Sequence, residues 1–178
     1  MPSFLGVNVD TGLFYFDHNY RPVPLDTYFF GVSETNFAKR EYHMNEIAYD
    51  KAIKSLQEGY QVMVFVHSRK KTAMGGRVFY EFAAMKGHAD IFEADLNPQQ
   101  QKELQKSKNK ELAELVPKAI ATHHAGMLRS DRNLAEKLFR DGKIKVLFCT
   151  ATLAWGVNLP VHTVIHEVPD TQLNGGYH

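Results

Sequence analysis

The chain has 178 residues, 44% hydrophobic and 23% charged, with a formal net charge of +1, which suits one globular domain plus an extension. No apolar run approaches the roughly 20 residues of a membrane span, and Met1-Pro2-Ser3-Phe4-Leu5-Gly6 lacks the basic and apolar regions of a signal peptide. The near-neutral balance excludes whole-molecule attraction to a polyanion, so any grip on nucleic acid must be local; the single Cys149 cannot close an internal disulfide, which points to an intracellular setting, nucleus or cytoplasm.

In chain order, Gly12 to Asp17 is aromatic and reads as strand-like. Arg21-Pro22-Val23-Pro24 carries two prolines that forbid helix. Leu25 to Val32, with Tyr28, Phe29 and Phe30, reads as a second strand on an extended arm. So many aromatics on such an arm predict an interface with a neighbour. Residues 1–40 are therefore expected to form a connector and entry strand, and residues 41–178 a separate domain.

From Asn45 the pattern turns regular. Tyr49, Ala52, Ile53 and Leu56 fall on one face of a helix, and Gly59 supplies a stop. Val62 to Val66 is a continuous apolar run, as expected for a strand covered on both faces. His67-Ser68-Arg69-Lys70 then leads into a helix to about Met85, its early turns weakened by Gly75-Gly76. Gln99 to Leu115 reads as a polar helical insertion on the surface. Ile120-Ala121-Thr122 is a short strand before His123-His124-Ala125-Gly126. Ser130 or Asp131 is expected to cap a helix with Leu134, Leu138 and Phe139 inward, ended by Gly142. Ile144 to Cys149 and Thr163 to Glu167 complete the strands. Alternating strands and helices, the strands wholly apolar, predict an α/β fold with a parallel sheet and helices on both faces.

Three clusters stand at the ends of apolar strands: Ser68-Arg69-Lys70; His124-Ala125-Gly126 with Asp131-Arg132; and Thr150-Ala151-Thr152 with Gly156 and Asn158. In a parallel sheet all three lie along one edge. Small residues let a backbone approach, hydroxyls and N–H groups donate, and basic side chains neutralise, so the edge is suited to a nucleic-acid strand. His123-His124 has no third ligand at metal spacing. Cys149 reads as core, and Trp155 as packing beneath its turn or stacking on a base.

These residues, in this order, resemble the second RecA-like domain of superfamily 2 helicases of the Ski2-like group. Phe65 to Lys70 (FVHSRK) is similar to helicase motif IV, His123 to Arg132 (HHAGMLRSDR) to the motif that follows it, and Cys149 to Pro160 (CTATLAWGVNLP) to motif V. Phe14 to Leu25 (FYFDHNYRPVPL) resembles the interdomain connector of two-cassette members. The run Lys106 to Asn133 leans toward the signal-cointegrator type over the spliceosomal type.

The resemblance implies a RecA-like fold and nucleic-acid contacts from Ser68, Arg69, His124, Gly126, Arg132, Thr150 and Thr152. Gly156 and Asn158 would face ATP in an interdomain cleft. It also implies a partner N-terminal RecA-like domain that holds most of the ATP and Mg2+, RNA as the favoured substrate, and a larger ribonucleoprotein or multi-subunit complex, with no membrane partner. The sequence has no GxxxxGK[ST] and no DExH box. Beyond Ile165, His166-Glu167-Val168-Pro169-Asp170 stands where the family continues toward its arginine-finger motif. This chain alone is accordingly expected to be inactive as an ATPase, with no catalytic residue of its own. A DNA helicase of the same group, or a silent cassette used for protein docking, remain the alternative readings.

Overall fold

The structure is a computed structural model that describes residues 6–153 and 159–167. The chain divides into two units, residues 1–31 and 32–178. In the first, a single turn of helix α1 (Val9–Gly12) precedes a three-residue turn, His18–Tyr20, which the Asp17 carboxylate caps by accepting from the Asn19 N–H at 2.9 Å. Phe16 and Tyr20 meet edge to face at 5.3 Å. The two strands expected over 12–17 and 25–32 do not form. Strand propensity describes a paired, half-covered surface more than an isolated chain, and Phe14, Tyr15 and Phe29 are all largely exposed.

The second unit holds the sheet. Helix α2 spans Phe37–Gln57, capped by Asn36, whose side chain accepts from the Lys39 N–H at 3.1 Å. Strand β1 (Val62–Phe65) leads to α3 (Arg69–Met85). Two shorter helices follow, α4 (Pro98–Lys106) and α5 (Lys110–Leu115), then β2 (Ile120–His123), α6 (Arg129–Arg140), β3 (Val146–Cys149) and β4 (Thr163–His166). The strand order is β2-β3-β1-β4, every pair parallel.

Strand alternation divides the core in two. Val62, Val64, Val146, Phe148 and Ile120 face α2 and α3, meeting Tyr49, Ile53, Phe79 and Phe82. Met63, Ala121, Leu147 and Cys149 face α6 and α5, meeting Leu112, Leu134, Leu138 and Phe139. The connection through α3 runs from β1 outward to β2 on one face; the connection through α6 returns to β3 on the other. Reversing direction and face together preserves the hand of both crossovers, the doubly wound arrangement expected of a RecA-like domain.

Two expectations need correction here. Gln99 to Leu115 is two helices broken at Ser107–Asn109, and it is no solvated insertion: Leu112 and Leu115 are fully buried and Gln100 nearly so. Few apolar positions hid this, since only those two leucines and Leu104 reach the core. Nor does Ser130 or Asp131 cap α6. The cap position is Leu128 with no side-chain bond, and Asp131 lies within the first turn, buried, its Oδ1 accepting from Ser107 Oγ at 2.8 Å. Beyond the other end of α6, Gln61 Nε2 donates to the carbonyls of Phe139 at 2.7 Å and Ile144 at 2.6 Å, which ties the residue before β1 to the turn that leads into β3.

Candidate nucleic-acid interface

The register fixes where the loops leave the sheet. Phe65 pairs with Cys149 and with His166, and His123 pairs with Cys149. Beyond that level the ladder adds one more step: Val66 N–H to Cys149 O at 2.9 Å, Thr150 N–H to His123 O at 3.2 Å, and Glu167 N–H to Phe65 O at 3.0 Å. The segments after β1, β2 and β3 therefore start side by side on one rim.

Ser68 ends the first segment as the cap of α3, its Oγ accepting from the Lys71 N–H at 3.4 Å. Arg69 follows, exposed, and reaches across to the β2 loop. A Cβ on Gly126 would stand 2.9 Å from Arg69 Nη1, 3.1 Å from its Cδ and 3.1 Å from His124 Nδ1. A side chain there would push the flexible end of Arg69 aside and crowd the His124 ring. The Gly126 N–H is itself used, donating to His124 Nδ1 at 3.1 Å, so this glycine can offer space on the rim but not that donor. Thr150 stands half-exposed one strand away.

His124 is buried and accepts through Nδ1, which places its proton on Nε2, 3.8 Å from Glu111 Oε2. Burial holds its pKa below the ordinary imidazole value; Glu111 opposes this and Arg69 reinforces it. The ring is thus a neutral acceptor that shapes the Gly126 turn. Its neighbour His123 turns inward, Nε2 lying 2.7 Å from Glu136 Oε1. Cys149 is enclosed, and burial pushes its thiol up to about 12.

The basic residues of the rim are not equivalent. Lys71 is held by Glu41 and lies 3.9 Å from Glu167 at the end of β4, whereas Arg69 and Lys70 are exposed and form no ion pair among the described residues. Arg132 is half-buried in α6 and forms no ion pair with any described residue. The structure thus brings Ser68, Arg69, His124, Gly126 and Thr150 to one rim, and Arg132 lies in the first turns of α6, after the Gly126 loop. The side chain of Thr152, and Gly156 and Asn158, lie outside the described residues. Sequence reasoning missed Glu111, Glu41 and Glu167, since their partners lie far away in the chain and share no periodic signal with them. Among the described residues no group of three or more His, Cys, Asp or Glu is placed to hold a metal ion.

Comparison with known proteins places the chain among helicases. The family described as helicase conserved C-terminal domain matches residues 102–176. The chain is 51% identical over 174 residues, 96% of its length, to the Arabidopsis thaliana DExH-box ATP-dependent RNA helicase DExH14. It is 47% identical over 166 residues, 92% of its length, to the Homo sapiens activating signal cointegrator 1 complex subunit 3. The same figures hold for the Saccharomyces cerevisiae RQC trigger complex helicase SLH1. In each case the chain spans only 8% of the relative.

Proposed function

This domain belongs to the helicase family, with signal-cointegrator and SLH1 helicases among its homologues, and on that premise we propose that it is the C-terminal RecA-like domain of an ATP-dependent Ski2-like RNA helicase. The rim made by Ser68, Arg69, Gly126 and Thr150 takes the sugar–phosphate backbone of one strand, with Thr152 supporting the turn after β3 and Arg132 flanking it at α6. Residues 1–40 connect it to a preceding domain. The observation that carries this reading is the exposed Arg69 guanidinium, unpaired by any described carboxylate, lying against Gly126, where a Cβ would stand 2.9 Å from its Nη1.

Guanidinium donors and small-residue turns recognise phosphate without reading bases, which is what a domain moving along a strand requires. ATP and Mg2+ would be held mainly by an N-terminal RecA-like domain, which in this family carries the GxxxxGK[ST] loop that this sequence does not contain. Bound between two such domains, ATP supplies the differential contacts that bias the cleft toward closure. This chain's share is Gly156 and Asn158 at the cleft and the rim on the strand. In the longer relatives' setting such a motor would act within a ribonucleoprotein or multi-subunit complex.

The test is Arg69→Gln in this chain, read as affinity for a single-stranded oligoribonucleotide across a salt series. Losing one phosphate contact lowers the slope of log K against log salt by about 0.7. An unchanged slope and affinity would remove the rim from the account.

A further inference from the structure

Outside the rim, a depression of about 500 Å³ lies between the α4–α5 junction and α6, lined by Lys106, Lys108, Lys137, Ser130, Asn133 and Leu128 among others. Its two carboxylates are already engaged. Glu103 is held by Lys137 at 3.0 and 2.9 Å, which keeps its pKa below the usual carboxylate range. Asp131 is buried and accepts from Ser107 Oγ at 2.8 Å. Lys106 and Lys108 are exposed and form no ion pair among the described residues.

The depression is held at the β2 end of the rim. Ser107 is tied to Asp131 in the first turn of α6, which begins directly after the Gly126 loop. Asn109 Oδ1 accepts from the N–H groups of Glu111 at 2.9 Å and Leu112 at 3.1 Å, and Glu111 faces His124 at 3.8 Å. The two lysines therefore stand on a junction braced against the same loop that carries Gly126.

We propose that this depression binds further phosphates of the strand held on the rim, so that Lys106 and Lys108 extend the track sideways past β2. The proposal rests on the rim reading above. Two compact ammonium charges with a hydroxyl and an amide beside them make a phosphate donor set. The core of a protein-docking site is instead depleted in lysine and enriched in aromatic residues, methionine and arginine. Leu128, 65% exposed, gives the apolar face of a ribose or base something to lie on.

The experiment measures binding of short and long oligouridylates to this chain across a salt series, for the unaltered chain, Lys106→Gln/Lys108→Gln, Lys106→Arg/Lys108→Arg and Arg69→Gln, with polyglutamate as a second titrant. The glutamine pair should lower the salt slope for long strands by about 1.4, two contacts at about 0.7 each. It should leave the shortest strands unaffected, and the arginine pair should keep the slope. Both lysines are on the surface, and a melting curve on each variant verifies the fold. A slope lowered by Arg69→Gln but unmoved by the glutamine pair overturns the extension and leaves the rim standing. Absence of RNA binding, or indifference to Arg69→Gln, overturns the rim and the extension with it. Loss of polyglutamate binding with RNA binding intact makes the depression a docking surface for acidic protein and overturns the proposal.

Discussion

Gly75 shows how one residue's size governs the packing beneath the rim. A Cβ there would stand 2.5 Å from Phe148 Cε1 and 2.9 Å from its Cδ1. Phe148 cannot retreat, since it is fully enclosed and meets Phe79 edge to face at 4.9 Å. Gly75→Ala therefore adds an overpacking cost of about 1–3 kcal/mol, against about 1 kcal/mol of helix propensity regained. The expected outcome in urea denaturation is a net loss of stability, and a gain would show that the ring can move. His124 is the residue with a readable pH signature. Its pKa lies below the ordinary value of about 6.5, so the folded state favours the neutral ring. Its stabilising contribution is complete above about pH 6.5 and is lost as pH falls through the lowered folded-state pKa. The stability gap between the unaltered chain and His124→Gln should narrow from pH 7.5 to pH 5; a constant or widening gap contradicts the neutral-acceptor assignment.

Elements were legible where local signals agreed with the fold. The continuous apolar run at Val62 to Val66 gave β1, the helix expected to end near Met85 is α3, and the glycines at 59 and 142 fell at left-handed turns with φ of 87° and 73°. The common level of Ser68, Gly126 and Thr150 was legible too, because parallel strands necessarily send their loops to one edge. What failed depended on distant partners. The break between α4 and α5 is set by Ser107 reaching Asp131, 24 residues on, and the arm's strand-like composition finds no ladder in its own unit. The α5 helix has only six residues, so its cap matters more than its propensity. Asn109→Ala removes both N–H acceptances and should cost about 1 kcal/mol. Faster hydrogen exchange at Glu111 and Leu112, spreading to Gly126 through His124, is the expected readout. Exchange confined to α5 would show that the junction does not brace the rim.

At the scale of the whole domain, the sheet acts as a ruler. Its parallel register sets three loops at one level, and the helices on its two faces hold those loops from opposite sides through α3 and α6. Charge then distinguishes the ends of the rim. Glu167 beside Lys71 closes the β4 end, whereas Arg69 and the lysines near α6 leave the β2 side open to an anion. This asymmetry could not be read from a net charge of +1; it depends on which carboxylates the fold has already paired. The most direct measurement is an amide chemical-shift titration of this chain with a single-stranded oligoribonucleotide. The account predicts that Ser68, Arg69, Ala125, Gly126 and Thr150 shift together along one saturation curve. Shifts confined to α2 and the β4 edge, or rim amides that respond with unrelated affinities, would contradict it.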